Sequence, residues 1–260
     1  MNSSPPSESS EPTAPDSPPL AYLARVPAIV QMIHATTDPM DAIDVLTAVT
    51  SELGADVSIF ASFTRAGIAE DSYRVLLACD PAWRSDHEEA GWFESDPWLN
   101  YARQHSEPIL ASELILATDT ERSMAEVAVR LGFASTVIAP ALSNAEQLRV
   151  GVFCLGSATP GHFEHHPDPL VKAAVRLVAQ ELHEWWTAAM RDELVASARL
   201  SPEDILLLRH AHAGHGTKEI ARATGWSNGS IDSRFQRLNA RLGVATRKAA
   251  ARLAAECNLI

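Results

Sequence analysis

The sequence is short of three things, and each shortage removes a class of protein. Cysteine is the first: Cys79, Cys154 and Cys257 are the only three in 260 residues, and no two form a CxxC pair. That argues against a disulfide framework or a zinc site and leaves reduced, mostly buried thiols as the expectation. Long apolar runs are the second. No stretch approaches the roughly 20 residues of a membrane span, so no membrane partner is expected. Positive charge is the third: 21 Lys and Arg face 33 Asp and Glu, for a net charge of -12.

The chemistry of common enzymes is missing too. There is no GxSxG elbow and no Gly-rich phosphate loop, and no Ser, His and acid can be given mutual roles. His162, His165 and His166 cluster, as do His210, His212 and His215, but neither set has a Cys or carboxylate at a recognised metal spacing. The expectation is a protein that is not an enzyme and carries no metal and no cofactor.

Residues 1–19 hold six prolines and six serines and no Lys or Arg. They lack the apolar side chains that would offset the entropy of ordering, so a disordered tail is expected there. They also lack both parts of a signal peptide, which makes a cytoplasmic location the default.

What is present falls into two blocks of opposite charge. Residues 201–260 contain nine Lys and Arg against five acids, a net +4 that leaves -16 on the remainder. A basic module that meets phosphate, attached to an acidic domain with another task, fits that asymmetry.

Within 20–192, periodicity predicts two helices (Val26, Ile29, Val30, Met32, Ile33, then Ile43, Leu46, Val49, Leu53), broken near Thr37, Asp38 and Pro39. Strands are expected at Val57–Phe63 and Tyr73–Ala78, with Gly67 in the turn between them. Helix follows over 82–105 and about Thr120 to Leu131, closed by Gly132. Two more strands, Thr136–Leu142 and Val150–Leu155, are joined by the polar segment Ser143–Gln147. A long helix over 168–198 carries Leu170, Val171, Val175, Val178, Leu182, Trp185 and Trp186, a stripe broad enough for a sheet and a second subunit. The order predicts an α+β N-terminal sandwich, an antiparallel sheet flanked by helices. Residues 193–200 read as a linker.

In 201–260, Ser201-Pro202-Glu203-Asp204 is a helix start: N-cap, Pro at the first helical position, acid at the capping-box position. That helix carries Ile205, Leu208 and Ala211. A short helix from Thr217 ends at Gly225, and Ser227 caps a third in which Ile231, Phe235, Leu238 and Leu242 form one buried stripe. Its other face offers Asn228, Ser230, Asp232, Ser233, Arg234, Gln236 and Arg237, with Thr217 and Lys218 on the preceding helix. Short helix, Gly turn and longer polar-faced helix are the parts of a helix-turn-helix, whose second helix enters the major groove. A plain all-α bundle of three or four helices with solvated cations fits the spacing equally well.

Leu200-Ser201-Pro202, Gly214, Glu219-Ile220-Ala221, Gly225, Ser227, Ile231, Arg241-Leu242-Gly243-Val244, Arg247 and Ala249 resemble the signature of the LuxR-type helix-turn-helix. The resemblance implies double-stranded DNA as partner, read by a homodimer at a two-fold symmetric site. His210, His215, Asp232 and Arg234 depart from the family pattern. Asp232, an acid on the reading face, would accept from a cytosine amino group or pair with Lys218, Arg234 or Arg237.

Three of the six tryptophans, Trp83, Trp92 and Trp98, fall within sixteen positions, beside Asp96 and Tyr101. Large rings dominate burial energetics, so a heavily aromatic core explains them. A ligand pocket also does, with Asp96 as acceptor and the Trp83 indole N–H as donor. Here too the chain resembles the LuxR family, in its autoinducer-binding domain. Trp83 and Asp96 keep the family's thirteen-residue spacing, and Pro97, Pro108, Gly132 and Pro140 are in place. By resemblance, Trp83 donates to a lactone carbonyl and Asp96 accepts from the ligand amide, which makes a small-molecule signal the expected partner. Cys79 and His87 stand where the family has tyrosines, Ala111 near an expected Trp and Thr136 at a second Gly. Trp92 and Trp98 add bulk where an acyl chain would lie, which points to an aryl or otherwise unusual signal.

Overall fold

The computed structural model describes residues 21–38, 41–64, 73–142, 148–165 and 169–260. The expected tail, Pro39, the Gly67 turn, the Ser143–Gln147 segment and His166 lie outside the described residues.

Two helices, α1 (Ala21–Ala35) and α2 (Ala42–Glu52), precede β1 (Val57–Thr64) and β2 (Arg74–Ala78). Then come α3 (Ala82–Glu89), a 3-10 turn at Trp92–Glu94, α4 (Pro97–Gln104), a two-residue β3 (Ile109–Leu110) and α5 (Asp119–Arg130). The domain closes with β4 (Ser135–Ala141), β5 (Arg149–Ser157) and α6 (Pro169–Ser197). The five strands form one antiparallel sheet in the order β2-β1-β5-β4-β3. The expected α+β sandwich is what forms. β3 escaped the sequence reading because two residues carry no periodicity.

Both faces of the sheet are covered, which is why its central strands read as apolar runs. Alternation sends Phe60, Val137, Ala139, Phe153 and Leu155 to one side, where Ile29, Ile33, Leu46, Val49, Val175 and Val178 pack on them. It sends Ile59, Ala61, Phe63, Ile138, Val150, Val152 and Cys154 to the other, against Trp83, Trp92, Trp98, Met124, Val127 and Phe133. Each fully buried Leu, Ile or Phe here contributes about 1.5–3 kcal/mol. On α2 the buried stripe is Ala42, Val45, Leu46, Val49 and Leu53; Ile43, expected within it, is 52% exposed. From Leu46 a three-residue step reaches Ile43 and a four-residue step reaches Ala42, so spacing admits both, and packing against the sheet selects Ala42.

Helix α5 shows its local causes plainly. Thr118 accepts from the Glu121 N–H at 3.2 Å while Glu121 accepts from the Thr118 N–H, a reciprocal cap. Gly132, at φ +98, takes the left-handed turn that ends it. Helix α6, with 29 residues, is roughly 43 Å long at the usual rise. Its Trp185 indole N–H donates to the Thr36 carbonyl at 2.8 Å, tying α1 down. It runs on to Ser197, so five residues of the expected linker are helical.

The last block contains α7 (Pro202–His212), α8 (Thr217–Thr224), α9 (Asn228–Arg241) and α10 (Arg247–Glu256), around Leu207, Leu208, Ile220, Ile231, Phe235, Leu238, Ala250 and Ala254. Ser201 caps α7 by accepting from the Asp204 N–H at 3.2 Å. Asp204 answers by accepting from the Ser201 N–H at 3.1 Å. Arg241 then joins three elements: Nη2 donates to Asp204 at 2.7 Å, and Nη1 donates to the Ala198 and Arg199 carbonyls beyond α6. Burial alone would raise the Asp204 carboxyl, but the Arg241 hydrogen bond and the Ser201 N–H outweigh it and hold it below the ordinary value. Arg241→Ala should therefore cost about 2 kcal/mol, because it strands a largely buried carboxylate and two carbonyls. A urea titration of the full chain measures that loss; an unchanged midpoint would show that Arg241 is merely a surface cation.

Candidate functional site

The aromatic cluster is assembled by two Asp-Pro starts. Asp80 accepts from the Ala82 N–H at 2.9 Å and, with Pro81, opens α3, which places Trp83 in its first turn and His87 in its last. Asp96 opens α4 in the same way: Oδ1 accepts from the Trp98 and Leu99 N–H groups at 2.7 and 3.1 Å, with Pro97 next to it. Both helices lie on the second face of the sheet, so their rings converge.

Trp83 stacks on Trp98, with centroids 5.3 Å apart and planes at 19°, and Phe133 packs against both at 5.2 and 5.5 Å. His87 lies among Tyr73, Phe93, Trp92 and Trp83, at centroid distances of 6.0, 4.7, 6.1 and 6.4 Å. Trp83, His87 and Asp96 are 5%, 2% and 3% exposed. His87 Nε2 sits 3.0 Å from Asp96 Oδ2. A carboxylate only accepts, so His87 donates from Nε2. His87 Nδ1 is buried and has no hydrogen-bond partner among the described residues. Beside it lies a void of about 10 Å³, lined by Tyr73, Val75, Trp83, Arg84, His87, Glu88 and Phe93. It is about the size of one water molecule.

The structure thus brings together Trp83, His87, Trp92, Asp96 and Trp98. Cys79 and Tyr101 pack at the edge of the same cluster. Burial, reinforced by Asp80, pushes the Cys79 thiol up to about 12, and its S–H points to the Asp80 carbonyl at 3.7 Å. Tyr101 donates to the Glu107 carbonyl at 2.9 Å and stacks on His105. Both polar groups are engaged locally. Tyr73, Phe93 and Phe133 were not singled out from sequence. Tyr73 was legible in principle, since alternation through Val75 and Leu77 puts it on the cluster face. Burial, then the charge of Asp96, push its phenol upward.

In the last block, Lys218, Asn228, Ser230, Asp232, Ser233, Gln236 and Arg237 are exposed, and Thr217 and Arg234 are half-buried. Gly225, at φ +75, makes the turn after α8, and Ser227 caps α9 by accepting from the Ser230 N–H at 3.2 Å. The cation that pairs with Asp232 is none of Lys218, Arg234 or Arg237. It is Arg247 of α10, whose Nη2 donates to Oδ1 at 2.5 Å. Arg234 is drawn away over the Trp226 ring at 4.5 Å, while Arg247 is laid over Phe235 at 4.3 Å and so delivered to Asp232.

Among the described residues no helix is long and apolar enough to cross a membrane, and no group of three His, Cys, Asp or Glu is placed to hold a metal.

No curated protein matches this sequence. Solved structures share the fold. Escherichia coli SdiA aligns with a TM-score of 0.66 at 14% identity, over 92% of this chain and 99% of that one. SdiA in complex with octanoyl-rac-glycerol aligns at 0.64 and 13%, over 90% and 95%. CepR2 from Burkholderia cenocepacia, an N-acylhomoserine lactone dependent LuxR family transcription factor, aligns at 0.51 and 13%, over 63% and 94%. Residues 38–185, more than half of the chain, match the family model described as the autoinducer binding domain. The aromatic cluster and its Asp96 fall inside that match, and the chain belongs to the autoinducer binding domain family.

Proposed function

We propose that this protein is a cytoplasmic transcriptional regulator of quorum-sensing type, controlled by a small-molecule signal and acting by binding rather than catalysis. The observation that carries the reading is one chain in which an autoinducer-binding domain precedes α8, the Gly225 turn and α9, with Asn228, Ser230, Ser233, Gln236 and Arg237 exposed along α9. Amide and guanidinium groups on such a face pair with base edges, and nearby arginines hold phosphates. In this reading the last four helices are a LuxR-type helix-turn-helix domain. Two copies pair along α6, whose Leu177 is half exposed, and two α9 helices read half-sites about one helical turn apart. Signal binding favours the DNA-competent dimer by its differential affinity.

The signal of this reading is an acyl- or aryl-homoserine lactone. The Trp83 indole is its donor, and the rings of Trp92 and Trp98 favour a flat body over a long chain. CepR2 is described as N-acylhomoserine lactone dependent, and SdiA is seen with octanoyl-rac-glycerol, so both chemistries belong in the test. Thermal unfolding of the full chain with a panel of acyl- and aroyl-homoserine lactones and octanoylglycerol should show stabilisation by at least one. Trp83→Phe should weaken that ligand about tenfold or more, since losing one buried donor costs roughly 1–3 kcal/mol. Stabilisation by none of them, or equal stabilisation of Trp83→Phe, would sink the signal assignment.

One observation favours a second reading. Trp83, Trp98 and Phe133 pack directly on one another, so the cluster is a consolidated core with a void of about 10 Å³. On that reading the chain folds and binds DNA without a signal, or acts as an anti-activator through mixed dimers.

A further inference from the structure

The acid on the reading face has a defined environment. Asp232, in the second turn of α9, has a side chain 58% exposed, yet its Oδ1 receives two donors. Arg247 Nη2 reaches it at 2.5 Å and Thr217 Oγ1 at 3.2 Å. Arg247 Nη1 donates in turn to Thr217 Oγ1 at 2.8 Å, which closes a ring of three hydrogen bonds. Beneath it the guanidinium lies over the Phe235 ring at 4.3 Å. Thr217 is the first residue of α8 and Arg247 the first of α10, so the ring gathers two helix starts onto the side of α9.

Stability is a poor explanation for this arrangement. An exposed ion pair contributes little to stability, and holding an arginine in one rotamer uses up much of that. Orientation is a better one. A guanidinium has five N–H donors and this ring uses two, so three remain on a plane fixed from below by Phe235 and from the side by Asp232 and Thr217. A phosphate arriving there meets a cation whose rotamer entropy is already lost, and planar guanidinium is well suited to phosphate geometry.

We propose that Asp232 is a positioning residue that holds Arg247 for a phosphate contact, so that this acid raises DNA affinity although its own charge opposes it. The proposal rests on the DNA-binding reading above. It goes beyond a mere neutralisation of Asp232, because a neutralised acid would be dispensable.

The test uses the full chain and a fluorescent duplex pool with a randomised core, with affinity measured against salt concentration. Asp232→Ala should weaken binding about tenfold and lower the steepness of the salt dependence by about one phosphate. Asp232→Asn, which keeps an acceptor oxygen for both donors, should stay within about threefold of the parent and retain its slope. Arg247→Ala should reproduce the Asp232→Ala loss, and the double variant should be no worse than Arg247→Ala alone, the non-additivity expected of two groups acting as one. Unfolding midpoints guard against a trivial loss of fold, and a changed midpoint does not alter a salt slope. Tighter binding or an unchanged slope in Asp232→Ala would overturn the proposal. If the parent chain binds no duplex at low salt, the DNA-binding reading itself fails, and the proposal with it.

Discussion

Asp96→Ala should lower the unfolding free energy of the sheet domain by about 2–4 kcal/mol with no signal molecule present. Two losses add up to that figure. The carboxylate accepts two N–H groups at the start of α4, and removing such a cap costs about 1 kcal/mol. It is also the partner of His87 Nε2, and the imidazole, already lacking a partner at Nδ1 among the described residues, would then have none at either nitrogen while only 2% exposed. A buried donor left unmade costs about 1–3 kcal/mol more. Asp96→Asn keeps an oxygen for the cap and should fall between the parent and Ala. Denaturant unfolding of the three proteins without ligand decides the matter. If Asp96 serves only a ligand, the three curves will coincide, and loss would appear solely in ligand-dependent stabilisation.

A second large effect concerns pH. His183 of α6 packs against β5 so closely that a Cβ at Gly151 would sit 2.7 Å from its Nδ1. Neither ring nitrogen has a hydrogen-bond partner among the described residues. Burial first, and the charge of Arg149 second, push its pKa down from 6.5 to about 4. Arg149 is itself buried, donating from Nε and Nη2 to Ser62 at 3.1 and 3.2 Å, and burial lowers it too. Above pH 6.5 the imidazole is neutral in both folded and unfolded chains, and its contribution is fully present. As the pH falls from 6.5 toward about 4, the unfolded chain takes up a proton that the folded chain refuses, so stability is lost across that window. The expected loss is about 2–3 kcal/mol, at roughly 1.4 kcal/mol per pKa unit. His183→Leu should remove most of that slope and leave stability near neutral pH equal or higher, since no unpaired nitrogen remains. Urea titrations across the window test this. A variant that loses stability as steeply as the parent would assign the acid sensitivity elsewhere, for instance to the carboxylates whose lowered values place their own losses at more acidic pH.

These two residues also mark how far the chain could be read without coordinates. The four longer strands, the helix starts at Ser201 and Ser227 and the charge division were legible because each depends on neighbours in sequence: alternation of side chains, a capping oxygen two or three positions upstream, a run of like charge. Ser201 and Ser227 cap where their spacing said they would. The autoinducer-binding resemblance was legible because Trp83 and Asp96 keep their distance through two Asp-Pro starts that hold wherever the helices later pack. What those side chains touch was not legible. Beyond the ligand amide that the resemblance assigns to Asp96, its carboxylate caps α4 and meets a histidine from a different helix. Asp232 was expected to pair within α8 or α9, yet its cation arrives from α10. His183 carried no signal at all, because its neighbour is a glycine on a strand 32 positions away that only the packed sheet brings against it. Local hydrogen bonding and periodicity decided the elements; the choice of partner for each buried or clamped polar group belongs to long-range packing, which no spacing in the chain encodes.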